Sequence, residues 1–309
     1  MASKKTSQQN RRAQLQAQQR AAAARQKRNR LIGVVAAVVV VVAGLVGVIV
    51  WQAQPDAPSP TVSASVSDTY TSGTQPASPG ATTPAGVFIP PHGTDAMGYI
   101  EVKSAAAKPD AIVVGEHTDY QCPGCGGLTR YYGPAYEQLV ERGDVILQIH
   151  IRSFLDNNLK NDSSSRAAYA STCADVVGRF AAYHQTVYNH QPEQEGAGYT
   201  DQQLRIDFAA EAGITGADLT TFQQCYDSRQ TKAYVQQMER VNSTSRTING
   251  PDQAPPSGTP AIYVNGTALM ARDLSTAVPP DETVDPLTVS AVNADDLLAY
   301  LKSYAAKSQ

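Results

Sequence analysis

A chain of 309 residues, 42% of them hydrophobic, with 25 basic and 28 acidic residues and a net charge of −3, has length for one or two domains. Its two ends differ sharply: residues 1–30 hold nine basic residues and no acid, which leaves the remainder at 16 basic against 28 acidic, a net of −12. Such an acidic remainder excludes a nucleic-acid binder, so the basic arm needs another explanation.

That explanation follows the arm directly. Leu31 to Trp51 is 21 residues without a charge, and as helix at about 1.5 Å per residue it would cross the roughly 30 Å bilayer core. A cleaved signal peptide is the rival, but its apolar region usually runs about 7–15 residues and ends at a small-x-small site that is not evident here. An uncleaved anchor is therefore expected. The positive-inside rule keeps arm 1–30 in the cytoplasm and puts everything after Trp51 outside the cytoplasmic membrane. Residues 52–96 are rich in Pro, Ser, Thr, Ala and Gly and are read as an unfolded tether with a mean reach of roughly 35–40 Å. Residues 97–309 can support a single sizeable core. All four cysteines fall there, which matches an oxidising compartment.

Within this domain, Ala111 to Val114 suits a buried strand by its β-branched run. A polar turn then leads to Cys122-Pro123-Gly124-Cys125, and Leu128 to Val140 reads as helix with Pro134 inside it. Where a strand hands over to a helix, exposed N–H groups and the positive dipole end favour an anion, so Cys122 should deprotonate more easily than a free thiol. The thiolate is the reactive form. The motif alone is weak, because zinc knuckles and structural disulfides also use it. Val145 to Ile151 reads as a second central strand, set parallel to the first by a right-handed crossover. His150 is taken as a strand side chain rather than a catalyst.

From about 164 to 245 the pattern is helical. Tyr169, Cys173, Val176, Phe180, Tyr183 and Val187 keep one face apolar, and Gly178 could split the run in two. Thr200 with Gln203 resembles a capping box, and Leu219, Phe222 and Cys225, then Tyr234, Met238 and Val241, continue the stripes. Three cysteine pairings are formally possible, and proximity favours Cys122 with Cys125. Cys173 and Cys225, both on inward faces, are either buried thiols or a bridge, with the bridge favoured in this compartment. A four-cysteine zinc site lacks a second close pair, so no metal is expected. Gly258-Thr259-Pro260 precedes a strand at Ala261 to Val264, the turn Asn265-Gly266 and a strand at Thr267 to Met270, a strong hairpin signal. A polar loop is expected to about Val289, and Asn293 should cap a helix carrying Leu297, Leu298, Leu301 and Tyr304.

Strand, acid, Cys-Pro-x-Cys and Thr-Pro-strand-Asn-Gly together resemble the DsbA-like branch of the thioredoxin superfamily, over roughly the last two-thirds of the chain. The resemblance implies an α/β thioredoxin fold with an inserted helical domain and a protein disulfide oxidoreductase needing no cofactor. Cys122 would be the nucleophile, Cys125 its resolving partner, and Glu116 the acid that accepts the proton of Cys125; the bland reading of Glu116 is a paired strand-end acid. Pro260 would be cis, with Thr259 presenting its backbone to a substrate strand. Strongly oxidising relatives carry histidine where this chain has Gly124; His117 could replace it only if it reached the sulfur. The expected role is an extracytoplasmic oxidase acting on exported proteins, reoxidised by a membrane quinone-linked partner of the DsbB or vitamin K epoxide reductase type. A reductase is the alternative. An isomerase would need a dimerisation module that the tether does not offer, so a monomer is expected. A thioredoxin-like binding domain with two structural disulfides is the non-catalytic reading.

Overall fold

In the computed structural model the described residues are 80–83, 86–94, 98–245 and 255–307. The expected arm 1–30 and membrane segment Leu31 to Trp51 lie outside them. Among the described residues no helix is long and apolar enough to cross a membrane.

The frame is a five-stranded sheet in the order β3-β5-β4-β6-β7. β4 (Ile112–Asp119) is central, parallel to β5 (Val145–Arg152) and antiparallel to β6 (Ala261–Val264). β3 (Ile100–Val102) and β7 (Thr267–Leu269) form the edges, each antiparallel to its neighbour. A helix, α1 (Pro123–Glu141), connects β4 to β5, the crossover expected for parallel neighbours. Asn265 and Gly266 both have positive φ, +47° and +81°, the conformation of a two-residue hairpin turn whose twist matches its strands.

β4 runs five residues past the expected strand. Gly115 to Asp119 is too polar to read as buried strand, yet from Val114 through Asp119 every residue is buried. Polar partners make that tolerable: Thr118 shares a hydrogen bond with Tyr188, and Asp119 accepts several more. The helix α1 likewise begins earlier than its periodicity indicates, because Gly124, Gly126 and Gly127 are poor helix formers. Close approach explains one of them. A β-carbon on Gly126 would lie 1.9 Å from Gln191 Oε1.

The helical block comprises α2 (Leu155–Leu159), α3 (Ser163–Val176), α4 (Phe180–Asn189), a π-helical turn (Gln203–Asp207) running into α5 (Phe208–Glu211), α6 (Gly216–Ser228) and α7 (Lys232–Thr244). Gly178, at φ +67°, separates α3 from α4. Thr200 and Gln203 exchange the two capping-box hydrogen bonds, at 2.9 and 3.2 Å. After the hairpin comes a helix, α8 (Ala271–Ala277), where a loop was expected; its one buried residue, Leu274, leaves no stripe to read in sequence. The last helix, α9 (Ala294–Lys307), is capped by Asn293 Oδ1, which accepts from the N–H groups of Asp295 and Asp296 at 2.8 and 3.1 Å.

Part of the segment read as tether is folded. β1 (Ala81–Thr82) pairs with β2 (Phe88–Ile89), and Val87 and Ile89 pack on the core. His92 donates its N–H to Asp175 at 2.8 Å, and Thr94 donates its N–H to Tyr234 at 3.1 Å. The short run Val87-Phe88-Ile89 was hidden by the proline-rich composition around it.

Candidate active site

Cys122 is the N-cap residue of α1, with extended backbone at φ −77° and ψ 117°. Pro123 occupies the first turn, where its missing N–H costs no helical hydrogen bond. The Cys122 N–H donates to the Asp119 carbonyl at 2.9 Å, so the end of β4 fixes the loop. Cys122 is 8% exposed and Cys125, one turn into the helix, 0%. Cys122 is largely enclosed, and it is still the more exposed member of the pair.

What encloses it is the loop before β6. The Thr259–Pro260 peptide bond is cis, and the Thr259 carbonyl lies 3.3 Å from Cys122 Sγ. Gly124 permits that approach. A β-carbon there would sit 3.0 Å from Pro260 Cδ, tighter than ordinary contact. The structure therefore brings Cys122, Cys125, Thr259 and Pro260 together.

Their electrostatics are unequal. The Cys122 thiol is lowered from an ordinary 9.0 to about 6, first by a hydrogen bond from the Cys125 thiol; backbone N–H groups of Cys125 and Gly124 add to this, against burial. Cys125 moves the other way, well above the ordinary value, because it is buried and because negative charge on Cys122 repels its own. The Thr118 hydroxyl and the Asp119 N–H offset this only in part. One sulfur is prepared to be a thiolate at neutral pH and the other to hold a proton.

Glu116 is also buried, and burial raises its carboxyl to about 7. It shares the sheet face of Thr118 by strand alternation, but no hydrogen bond joins it to Cys125 in the described part of the chain, and its Oε1 has no partner. Glu116 lines a cavity under α1. His117 points to the opposite face, stacked on His150 at 4.2 Å. It does not stand in for the histidine absent at Gly124. His150 Nδ1 donates to Asn242 Oδ1 at 2.9 Å and is buried, a strand side chain as read.

Sequence reasoning missed the residues that hold the loop. Asp119 accepts from the Gln121 N–H at 3.0 Å, the Ser164 hydroxyl at 2.5 Å and the Leu155 N–H at 3.2 Å. Burial raises its carboxyl to about 7. Gln191 donates to the carbonyls of Tyr120 and Cys122 at 3.0 and 2.9 Å, and Tyr199 donates to that of Tyr120 at 2.9 Å. The one available signal was Asp119 and Gln121 flanking Tyr120 just before the motif. Gln191 and Tyr199 lie some 70 residues on and carry no signal of their own. Away from this corner, Cys173 and Cys225 form a disulfide between α3 and α6. Among the described residues, no three metal-ligating side chains of the His, Cys, Asp or Glu type gather at one point.

The thioredoxin family model matches residues 105–278, more than half of the chain. A comparison with curated protein sequences finds no match. Among solved structures, the chain is similar to the MdbA thiol-disulfide oxidoreductase from Actinomyces oris, at 14% identity and a TM-score of 0.50, covering 70% of this chain and 90% of that one. A disulfide bond oxidoreductase (DsbG) from Mycobacterium tuberculosis in reduced form matches at 23% identity and a TM-score of 0.47, covering 66% and 94%. The MdbA protein from Corynebacterium diphtheriae matches at 18% and 0.46, covering 58% and 87%.

Proposed function

This chain belongs to the thioredoxin family, and from that premise we propose that it is an extracytoplasmic thiol-disulfide oxidoreductase that introduces disulfides into exported proteins. The observation that carries this is the split between the two thiols at the head of α1, Cys122 lowered to about 6 and Cys125 raised. In the oxidised enzyme, a substrate thiolate attacks Cys122 Sγ; the new S–S bond forms as the Cys122–Cys125 bond breaks, and Cys125 leaves and takes a proton. A second substrate thiolate then attacks the substrate sulfur of the mixed disulfide and expels Cys122. The substrate loses two electrons and the cysteine pair gains them. Because Cys122 is a stable leaving thiolate, this direction is the favoured one.

The Thr259 backbone, beside Cys122, presents a carbonyl to an extended substrate segment in the manner of strand addition. Glu116 supplies the proton that Cys125 takes, through water, and accepts it again when the Cys122–Cys125 bond is re-formed. Leu31 to Trp51 anchors the protein in the cytoplasmic membrane behind its basic arm, and a membrane quinone-linked thiol oxidant regenerates the disulfide; the arm, the apolar run and the acidic remainder support this placement. The test is to express Cys125→Ala in cells and trap mixed disulfides at Cys122, while measuring the redox state of Cys122 in the unmutated protein. Covalent complexes with exported proteins and a mainly oxidised wild-type pair are expected. A mainly reduced pair overturns the oxidase direction in favour of a reductase, and no complexes at all overturns exchange.

A further inference from the structure

Below α1, on the sheet face that carries Glu116, α1 and α4 leave a cavity of about 150 Å³. Its walls are mostly apolar. Three buried polar atoms among its lining residues have no hydrogen-bond partner among the described residues: Glu116 Oε1, Thr129 Oγ1 and Tyr136 OH, on residues only 5%, 6% and 3% exposed. Buried polar groups are nearly always satisfied by protein, water or ligand, so three orphans around one cavity give it polar groups with which an occupant can bond.

Charge narrows what that occupant is. Glu116 from β4 and Glu137 from α1 both line the cavity, and no lysine or arginine does. His184 lines it from α4, but its Nδ1 is bonded to the Tyr120 hydroxyl at 2.9 Å and burial lowers it to about 3, so it is neutral. An anion would face two acids with no cation, and an apolar molecule would leave all three orphans unpaired. A cation is served by both acids and by the rings of Tyr136 and Phe180. No group of three metal-ligating side chains is present among the described residues, which disfavours a bare metal ion. Size sets the rest, because a cavity of about 150 Å³ accepts one benzene-sized body.

We propose that this cavity binds a small organic ammonium ion with a ring-sized apolar body, its nitrogen toward Glu116 and Glu137 and its ring against Tyr136 and Phe180. Burial raises both carboxyls to about 7, so an arriving cation finds groups able to ionise at neutral pH. No cysteine lines the cavity, but it shares Glu116 with the proton path proposed for Cys125, so its readout is binding rather than thiol exchange.

Benzylamine is the probe, with toluene and benzoate as size-matched controls, followed by ligand-observed NMR and thermal melting of the full chain at neutral pH. Benzylamine should bind at least about tenfold more tightly than either control, and Glu116→Gln and Glu137→Gln should each weaken it roughly tenfold. Its affinity should rise as pH increases through about 7, as the two acids ionise. Equal binding of toluene, absence of benzylamine binding, or an affinity indifferent to both substitutions overturns the proposal. Should Glu116→Gln fail to fold, the half-buried Glu137 decides alone, and unchanged affinity in Glu137→Gln is then sufficient to refute it.

Discussion

Cys122 and Cys125 stand at the corner where β4 hands over to α1, within reach of backbone N–H groups and the Thr259 carbonyl. Cys173 and Cys225 join α3 to α6 inside the helical block, at 0% and 2% exposure, with the Thr231 hydroxyl 3.7 Å from the first sulfur. The same residue type thus serves two ends in one domain. At the corner, donors stabilise a thiolate; in the block, the bonded sulfurs lie within the buried hydrophobic core, which offers a charge little. Reactivity here is a property of the hydrogen-bond donors around the sulfur, the Cys125 thiol first, while stability is a property of the chain length the bond closes.

The contrast breaks most visibly under exchange of cysteines. Cys122→Ser should lower thiol-disulfide exchange by orders of magnitude at a cost of only a few degrees in melting temperature, read by a dithiol oxidation assay and calorimetry on the same sample. Cys173→Ala with Cys225→Ala should do the reverse. Opening a bridge between residues 52 apart removes about 4 kcal/mol in the chain-entropy account, which for a domain of this size lowers the melting temperature by about 10 °C. Exchange at Cys122 should persist below that temperature. If the double variant loses exchange without losing stability, the division between the two pairs is wrong.

The titration of the corner sharpens the comparison. Alkylation of reduced enzyme should reach half its maximal rate near pH 6, against the ordinary 9.0. Since the folded value is the depressed one, the reduced protein carries a stabilising contribution that is complete above the ordinary value and is lost as pH falls through about 6. Denaturant melts of the reduced protein should therefore lose stability between about pH 9 and pH 6 relative to Cys122→Ser.

Smaller effects come from residues that touch no sulfur. Glu116→Gln should slow the release or attack of Cys125 by about tenfold with little change at Cys122, resolved by single-turnover kinetics. Gly178→Ala, at φ +67° with open space where a β-carbon would go, should cost about 1 kcal/mol through backbone conformation alone. A fall of about 2–4 °C in melting temperature with unchanged exchange would fit.

Much of this was legible in the chain. The Asn265-Gly266 turn, the Thr200 and Gln203 cap, and the helix break at Gly178 each rest on a local backbone requirement, which leaves a mark in the residues themselves. The start of α1 and the second half of β4 did not. Gly124 and Gly126 argue against helix until Pro260 and Gln191 are seen pressing on them. Glu116 through Asp119 looked like a turn because their partners, Tyr188, Ser164 and His150 among them, come from segments far along the chain. The clamp on the Cys122 loop by Gln191 and Tyr199 was invisible for the same reason.

β4 places an acid and an imidazole on successive residues, Glu116 toward α1 and His117 toward His150. Strand geometry makes that arrangement all-or-nothing. Inserting a single residue upstream in β4 would turn every later side chain over, delivering histidine to the underside of the reactive helix and a carboxylate into the aromatic stack. Evolution along this strand can accordingly proceed by replacement at fixed sites, but hardly by lengthening.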